Sequence, residues 1–320
     1  MNTVRTWGVF LTAITTAAAG CATWEEVPPE VGAQVEAVTT ATWAPETALA
    51  TPAMGVLRMR VATNDAGDAA VVWDERLSVS LNRVWAAVFT GGRWSAPYAL
   101  SDGVTNGASG GVTVSPSGAV TVFWMTNGAP WSADCTGGAW GAAQRVPTDA
   151  LYTNIVGAAV DRNGNIEVVA GYPRTAATYP AYDLESLVRA PTGAWSAPVR
   201  FSTASGVAPK FVMNRNGQAV VKTGMVLYRS SALGVWSAPQ TIALAGQIYS
   251  TDVAIDAGGR GYFVARSRYG GANLSTSTPT SAWTAPRRVT KFDVLGSTLM
   301  VAASSADHAV IFGQDYTTGM

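Results

Sequence analysis

Few residues in this 320-residue chain have the types and spacing to do chemistry. Arg60, Lys210 and Asp252 each stand seven positions before a glycine (Gly67, Gly217 and Gly259), a place taken elsewhere in the chain by Gly111, Gly157 and Met300. Three short polar groups follow such glycines: Asp74, Glu75 and Arg76; Tyr172 and Arg174; and Arg266, Arg268 and Tyr269. Guanidinium groups orient anions through charge-assisted hydrogen bonds, and tyrosines offer an apolar face with a polar tip, so the set suits a polar, anionic ligand. Solvated loop charges are the plainer reading of the same residues. Arg60, Asp74, Glu75 and Asp252 are the plausible reactive set. Asp74 and Glu75 are neighbours at a strand end, however, so their side chains diverge, which is poor geometry for two-carboxylate hydrolysis. His308 is the single histidine, so neither a Ser-His-Asp triad nor a histidine metal site is expected, and no metal or cofactor is. Asp161-Arg162-Asn163-Gly164-Asn165 begins like a calcium loop but lacks the glutamate at the twelfth position and reads as a turn.

The elements that must position these residues are repeats. Trp94-Ser95-Ala96-Pro97, Trp195-Ser196-Ala197-Pro198, Trp236-Ser237-Ala238-Pro239 and Trp283-Thr284-Ala285-Pro286 are copies of one motif, with Trp43-Ala44-Pro45 and Trp140-Gly141-Ala142-Ala143 as degenerate versions. Gly67, Gly118, Gly164, Gly217, Gly259 and, in the last copy, Asp307 follow each tryptophan by 22 to 24 residues. Turns such as Ser115-Pro116-Ser117-Gly118 and Asn214-Arg215-Asn216-Gly217 join two antiparallel strands, a and b. The strand after the turn, as in Ala119 to Trp124 and Asn165 to Ala170, is apolar on both faces and therefore sandwiched. A third strand, c, such as Arg83 to Phe89, leads through Gly91-Gly92 to the tryptophan-bearing fourth, d. Each unit is thus a four-stranded antiparallel blade with its a-b and c-d turns on one face. The longer d-a and b-c loops share the other, where Arg60, Lys210, Asp252, Arg266, Arg268, Tyr269, Asp74 and Tyr172 are expected to face a ligand. The repeated tryptophans could stack sugars, but an aromatic at one place in every blade is expected to pack between blades.

The ends of the chain predict closure. The last copy stops after strands a and b (Ser297 to Ala303 and His308 to Phe312), whereas Gln34 to Leu49 supplies c and d and lacks a and b. Joining the halves completes a sixth blade and leaves no free edge, so the expected fold is all-β: a six-bladed β-propeller over residues 34–320, closed by N-terminal strands c and d. The aromatic repeat with its glycine turns resembles the six-bladed propellers of sialidases and of the fungal fucose-binding lectins over that range. No copy completes the sialidase Ser-x-Asp-x-Gly-x-x-Trp box and no Phe-Arg-Ile-Pro segment is present, so the resemblance implies architecture and carries over no catalytic residue.

Residues 1–21 read as a targeting segment: Arg5, the apolar stretch Trp7 to Ile14, then Ala17-Ala18-Ala19-Gly20-Cys21. Ala18-Ala19-Gly20-Cys21 resembles a bacterial lipobox, with alanine where leucine is usual. This implies lipidation of Cys21 and an anchor in a bacterial outer membrane; ordinary cleavage after the alanines would give a secreted protein. Cys135, the other cysteine, is a lone thiol in the first case and a possible partner of Cys21 in the second. Residues 22–33 form an acidic, proline-containing tether. With 21 basic against 21 acidic residues and no basic block, nucleic acid is not an expected partner. The expectation is an exported, monomeric, non-catalytic binding module for a glycan or a cell-surface protein, touching the membrane only through Cys21. The alternatives are a carbohydrate-active hydrolase or lyase and a structural envelope protein without a ligand.

Overall fold

Alternating and doubly apolar runs bounded by glycine turns should yield strands and little else, and among the described residues they do. A computed structural model describes residues 12–15, 49, 54–148, 154–173, 182–202, 209–244, 246, 248–267, 271–289, 299–303 and 308–313. After β1 (Thr12–Thr15), the first sheet holds β2 (Val56–Thr63), β3 (Ala69–Arg76), β4 (Asn82–Thr90), β5 (Arg93–Trp94) and β6 (Tyr98–Ala99). The second holds β7 (Gly107–Val114), β8 (Val120–Thr126), β9 (Ala129–Thr136), β10 (Ala139–Trp140) and β11 (Gln144–Arg145). The third has β12 (Asn154–Val160), β13 (Ile166–Pro173), β14 (Tyr182–Arg189) and β15 (Val199–Ser202). In the fourth are β16 (Lys210–Met213), β17 (Ala219–Thr223), β18 (Val226–Ala232), β19 (Val235–Trp236) and β20 (Gln240–Thr241). The fifth comprises β21 (Ile248–Ile255), β22 (Gly261–Ser267), β23 (Gly271–Ser277) and β24 (Arg287–Arg288), and the last β25 (Leu299–Ala303) and β26 (His308–Gly313). Each sheet is an antiparallel meander, and the first strands of successive sheets lie side by side.

The strand that extends the last sheet is β1, paired with β26 from Thr12↔Ile311 to Thr15↔His308. That pairing was expected of residues 34–49, which except for Leu49 lie outside the described residues. Thr-Ala-Ile-Thr has the β-branched character that an unpaired edge accepts. Leu49 packs on the first sheet beside Val71, Trp73 and Trp94.

The repeat motif has a local explanation. Proline cannot donate to a ladder, so strand d is interrupted after the tryptophan. The serine makes good the loss: Ser95 N donates to Val88 O at 2.8 Å while its Oγ accepts from Val88 N at 3.1 Å. Ser196 with Val188, Ser237 with Arg229 and Thr284 with Thr276 repeat the exchange. Trp94 packs on Phe89 of its own sheet, and the later tryptophans lie against the preceding sheet. Trp140 stacks on Tyr98, ring centroids 5.2 Å apart, Trp195 meets Phe123 edge-on at 6.5 Å, and Trp236 stacks on Phe201 at 4.9 Å. Trp283 is buried in the cluster of Val220, Leu227, Ile242 and Phe263. Trp283 is thus a core residue, Trp94, Trp140, Trp195 and Trp236 are half-buried against the apolar clusters, and Trp43 lies outside the described residues.

Turn residues knit one face together. Asp161 Oδ1 accepts from Asn163 N and Asn165 N, both at 2.8 Å, and its Oδ2 from Asn165 Nδ2 at 2.9 Å, so this carboxylate is occupied by its own turn. Asn64 Nδ2 reaches Ser115 O at 3.0 Å and Asn214 Nδ2 reaches Asp256 O at 2.9 Å, each tying a turn to the next sheet.

Candidate ligand-binding groove

Among the described residues, buried polar side chains mark the boundaries between successive sheets, and most of them are latches. Ser109 N donates to the buried Asp74 Oδ1 at 2.6 Å, joining the first sheet to the second. Arg189 donates to both oxygens of Asp134, at 2.7 and 2.5 Å, joining the third to the second. Burial would raise the Asp134 pKa, but the bonds from Arg189 and Thr121 outweigh it and hold the carboxyl below its ordinary value. Glu167, fully buried on β13, accepts from Ser186 Oγ at 2.5 Å and from Gly234 N of the fourth sheet at 3.2 Å. Burial outweighs these bonds and pushes its carboxyl up to about 7. Between the fifth and last sheets, Val301 N donates to Asp252 Oδ2 at 3.0 Å.

The boundary between the fourth and fifth sheets is latched at its turn end, where Asn214 donates to Asp256 O and the buried Arg229 to Gly259 O and Ser277 Oγ, but not along its whole length. On the face of the b-c and d-a connections it opens into a cavity of about 530 Å³ lined by Lys222, Gly224, Met225, Val226 and Ile248 to Thr251. Lys222 is 5% exposed and donates to Thr251 Oγ1 at 2.9 Å. Lys210, its direct partner across β16 and β17, forms an ion pair of 2.5 Å with Asp252 Oδ1. Burial lowers the Lys222 pKa; Asp252 opposes this and Lys210 adds to it. The buried Arg266 places its Cζ 5.0 Å from the ring centroid of Tyr249, which is itself 48% exposed. The groove therefore offers cations and an open aromatic ring to a ligand.

Of the residues singled out in the sequence, Lys210 and Asp252 pair with each other beside this cavity, and Arg266 reaches it through the ring of Tyr249. Arg60 sits exposed on β2, and Asp74 is in the first sheet, turned to the second. Glu75 accepts from Trp85 Nε1 at 2.7 Å, so the two adjacent carboxylates serve separate structural bonds. Arg268, Tyr269 and Cys21 lie outside the described residues, as does the side chain of Tyr172. Where Arg60, Lys210 and Asp252 stand in their own copies, Gly111 and Gly157 instead permit close strand approach: a Cβ there would lie 3.2 Å from Ala158 and from Phe211, respectively. Lys222 and Tyr249 were missed by sequence reasoning. A lysine inside the apolar run Ala219-Val220-Val221-Lys222-Thr223 was the available signal, because a strand covered on both faces has no solvated place for it. Cys135 is buried in the cluster between the first and second sheets, has no disulfide partner among the described residues, and has its pKa raised by that burial.

No family model matches the sequence, and no curated protein matches it significantly. Solved structures do match its fold. The intramolecular trans-sialidase from Ruminococcus gnavus, in complex with oseltamivir carboxylate, superposes with a TM-score of 0.51 at 9% identity, covering 82% of this chain and 90% of that one. The leech intramolecular trans-sialidase gives 0.50 at 10% identity over 87% and 68% of the two chains. The BP39L lectin from Burkholderia pseudomallei gives 0.48 at 16% identity over 73% and 70%. The chain is an all-β protein that resembles the sialidase-like propellers.

Proposed function

We propose that this chain is a carbohydrate-binding β-propeller whose groove between the fourth and fifth sheets holds an anionic glycan without cleaving it. The carrying observation is the pairing of Lys222 and Lys210 beside the half-open Tyr249 ring backed by Arg266. Charge-assisted bonds orient an acidic sugar, and an exposed ring accepts the C–H face of a pyranose. Cleavage by two carboxylates has little support in the groove, where Asp252 has both oxygens engaged, by Lys210 and by Val301 N. The test is a glycan array bearing sialylated, uronic and neutral glycosides, followed by titration of the hits. Retention of acidic glycosides that is lost in Arg266→Ala and Tyr249→Ala supports the reading. Equal retention of neutral glycosides, or binding unaffected by both changes, defeats it. Capture of a cell-surface protein with no glycan retained would point to the protein-partner alternative.

The same reading includes six blades in a closed ring. Six sheets in chain order support it, as do two apolar strips at the ends of the series: Met59 and Val61 on β2, 67% and 58% exposed, and Met300, 53% exposed, with the exposed Ala302 on β25. Such strips are unfavourable in water and match each other in character. Met300→Glu should lower the melting temperature by several degrees if the strip is covered and leave it unchanged if it faces solvent. Export with a lipid on Cys21 is the remaining part: cleavage before Cys21 would remove β1 and leave β26 to the strand expected in residues 34–49. Detergent-phase partitioning that is abolished by Cys21→Ala would support the anchor, and wild-type protein in the aqueous phase would favour secretion.

A further inference from the structure

Lysine is scarce in this chain: Lys210, Lys222 and Lys291 stand beside eighteen arginines. Two of the three face each other directly across β16 and β17, a like-charge placement that costs an antiparallel pair stability. Holding an anion does not require lysine, since arginine does that at least as well and stays charged. Lysine differs in that it can shed its proton and become a nucleophile. The position of Lys222 favours that state. It is buried at the wall of a cavity of about 530 Å³, and the Asp252 carboxylate is committed to Lys210, so its amine has a hydroxyl, Thr251 Oγ1, as hydrogen-bond partner. Burial first, and the Lys210 ammonium in addition, depress its pKa against the opposing pull of Asp252. Desolvation beside a second cation is a known way to activate an amine for attack on a carbonyl.

We propose that Lys222 is a carbonyl-capturing residue that forms a reversible imine with a small aldehyde or 2-oxo acid entering this groove. The neutral amine adds to the carbonyl carbon, forming the C–N bond as the C–O π pair moves to oxygen, which is protonated. The oxygen takes up a second proton and departs as water while the nitrogen gives up both of its own, leaving the C=N bond with no oxidant or reductant consumed. The Lys210 ammonium and the Thr251 hydroxyl are the proton-carrying groups beside the amine, and the cationic surroundings of Lys210 and Arg266 favour a carbonyl compound that bears a carboxylate. This activity is separate from glycan binding, because glycosides have a locked anomeric carbon and cannot form an imine.

The experiment treats the folded protein with glyoxylate and cyanoborohydride at pH 7 and pH 10, then locates carboxymethylated amines by peptide mass mapping. Labelling of Lys222 several-fold faster than Lys291 at pH 7 is expected, with the gap narrowing at pH 10 and vanishing in urea. Lys210→Met removes the neighbouring ammonium and frees Asp252 to hold Lys222 protonated, so it should slow labelling of Lys222 at pH 7 and not at pH 10. Labelling of Lys222 no faster than Lys291 in folded protein, or appearing only in urea, overturns the proposal. So does a Lys210→Met variant, shown by its melting curve to be folded, that labels like wild type at pH 7.

Discussion

The boundary between the second and third sheets and that between the fourth and fifth both bury cations, yet they treat them differently. At the first, Arg189 meets Asp134 in two parallel bonds, and the charges cancel. At the second, the Asp252 carboxylate is taken by Lys210, and Lys222 is left with a hydroxyl. Charge that is matched within the fold holds sheets together. Charge in excess, set in a cavity and tolerated against repulsion, is available to something outside the fold.

If apolar packing rather than polar latching holds the fourth and fifth sheets, the largest loss should come from Trp283. Trp283→Ala is expected to destabilise by about 3 to 5 kcal/mol in urea denaturation, as for a buried large aromatic, and Trp195→Ala, only half-buried at the second-third boundary, by less. Equal losses at the two would erase the distinction.

The third-fourth boundary sharpens the comparison through pH. The Glu167 carboxyl rises from an ordinary 4.5 to about 7 on folding, so the native state binds the extra proton between those values and stability falls as pH rises through that window. Glu167→Gln should therefore match wild type near pH 4.5 and exceed it by roughly 3 kcal/mol at pH 8, the scale of a shift of this size. Parallel stability curves for the two proteins would show that this carboxyl does not titrate in the fold.

Arg189→Ala should cost about 2 kcal/mol at pH 7, less than a fully buried pair because the Asp134 side chain is 40% exposed. Asp134 has a depressed pKa, so the pair's contribution is present above the ordinary carboxyl value of 3.8 and is lost as pH falls through the folded one. A loss that persists undiminished at pH 2 would mean that Arg189 acts through packing on Trp195, whose ring centroid is 5.9 Å from its Cζ.

The smallest effect is, like that at Glu167, a gain in stability. The Lys222 pKa is lowered on folding, so the unfolded chain binds more protons between the folded value and 10.5, and wild-type stability rises with pH through that window. Lys222→Met should be more stable than wild type by about 1 kcal/mol at pH 7, with the gain fading at alkaline pH, because it removes a cation from an apolar strand. Destabilisation by that change would move Lys222 into the class of structural latches with Arg189.

Local chemistry made much of this molecule legible in advance. Pro97, Pro198, Pro239 and Pro286 must break a ladder wherever they stand, glycines such as Gly118 and Gly164 adopt the positive φ that their turns need, and two-sided apolar runs must be covered. These facts depend on a few neighbouring residues, so four-stranded repeats and inter-sheet tryptophans could be read from order alone. The partners of charges could not. Asp74 and Asp252 looked alike as loop-face acids, and nothing within a few residues of either says that one meets Ser109 N, 35 positions away, and the other Lys210 and Val301, 42 and 49 away. Pairings over that distance are set by which strands the sheets bring together and by the bulges that shift register, such as those between Ile248 and Ser250 and between Val56 and Arg58. Because a one-residue shift turns a side chain to the opposite face, only the assembled sheets decided that Lys222 lies beside Lys210 in a cavity and that Asp74 became a latch.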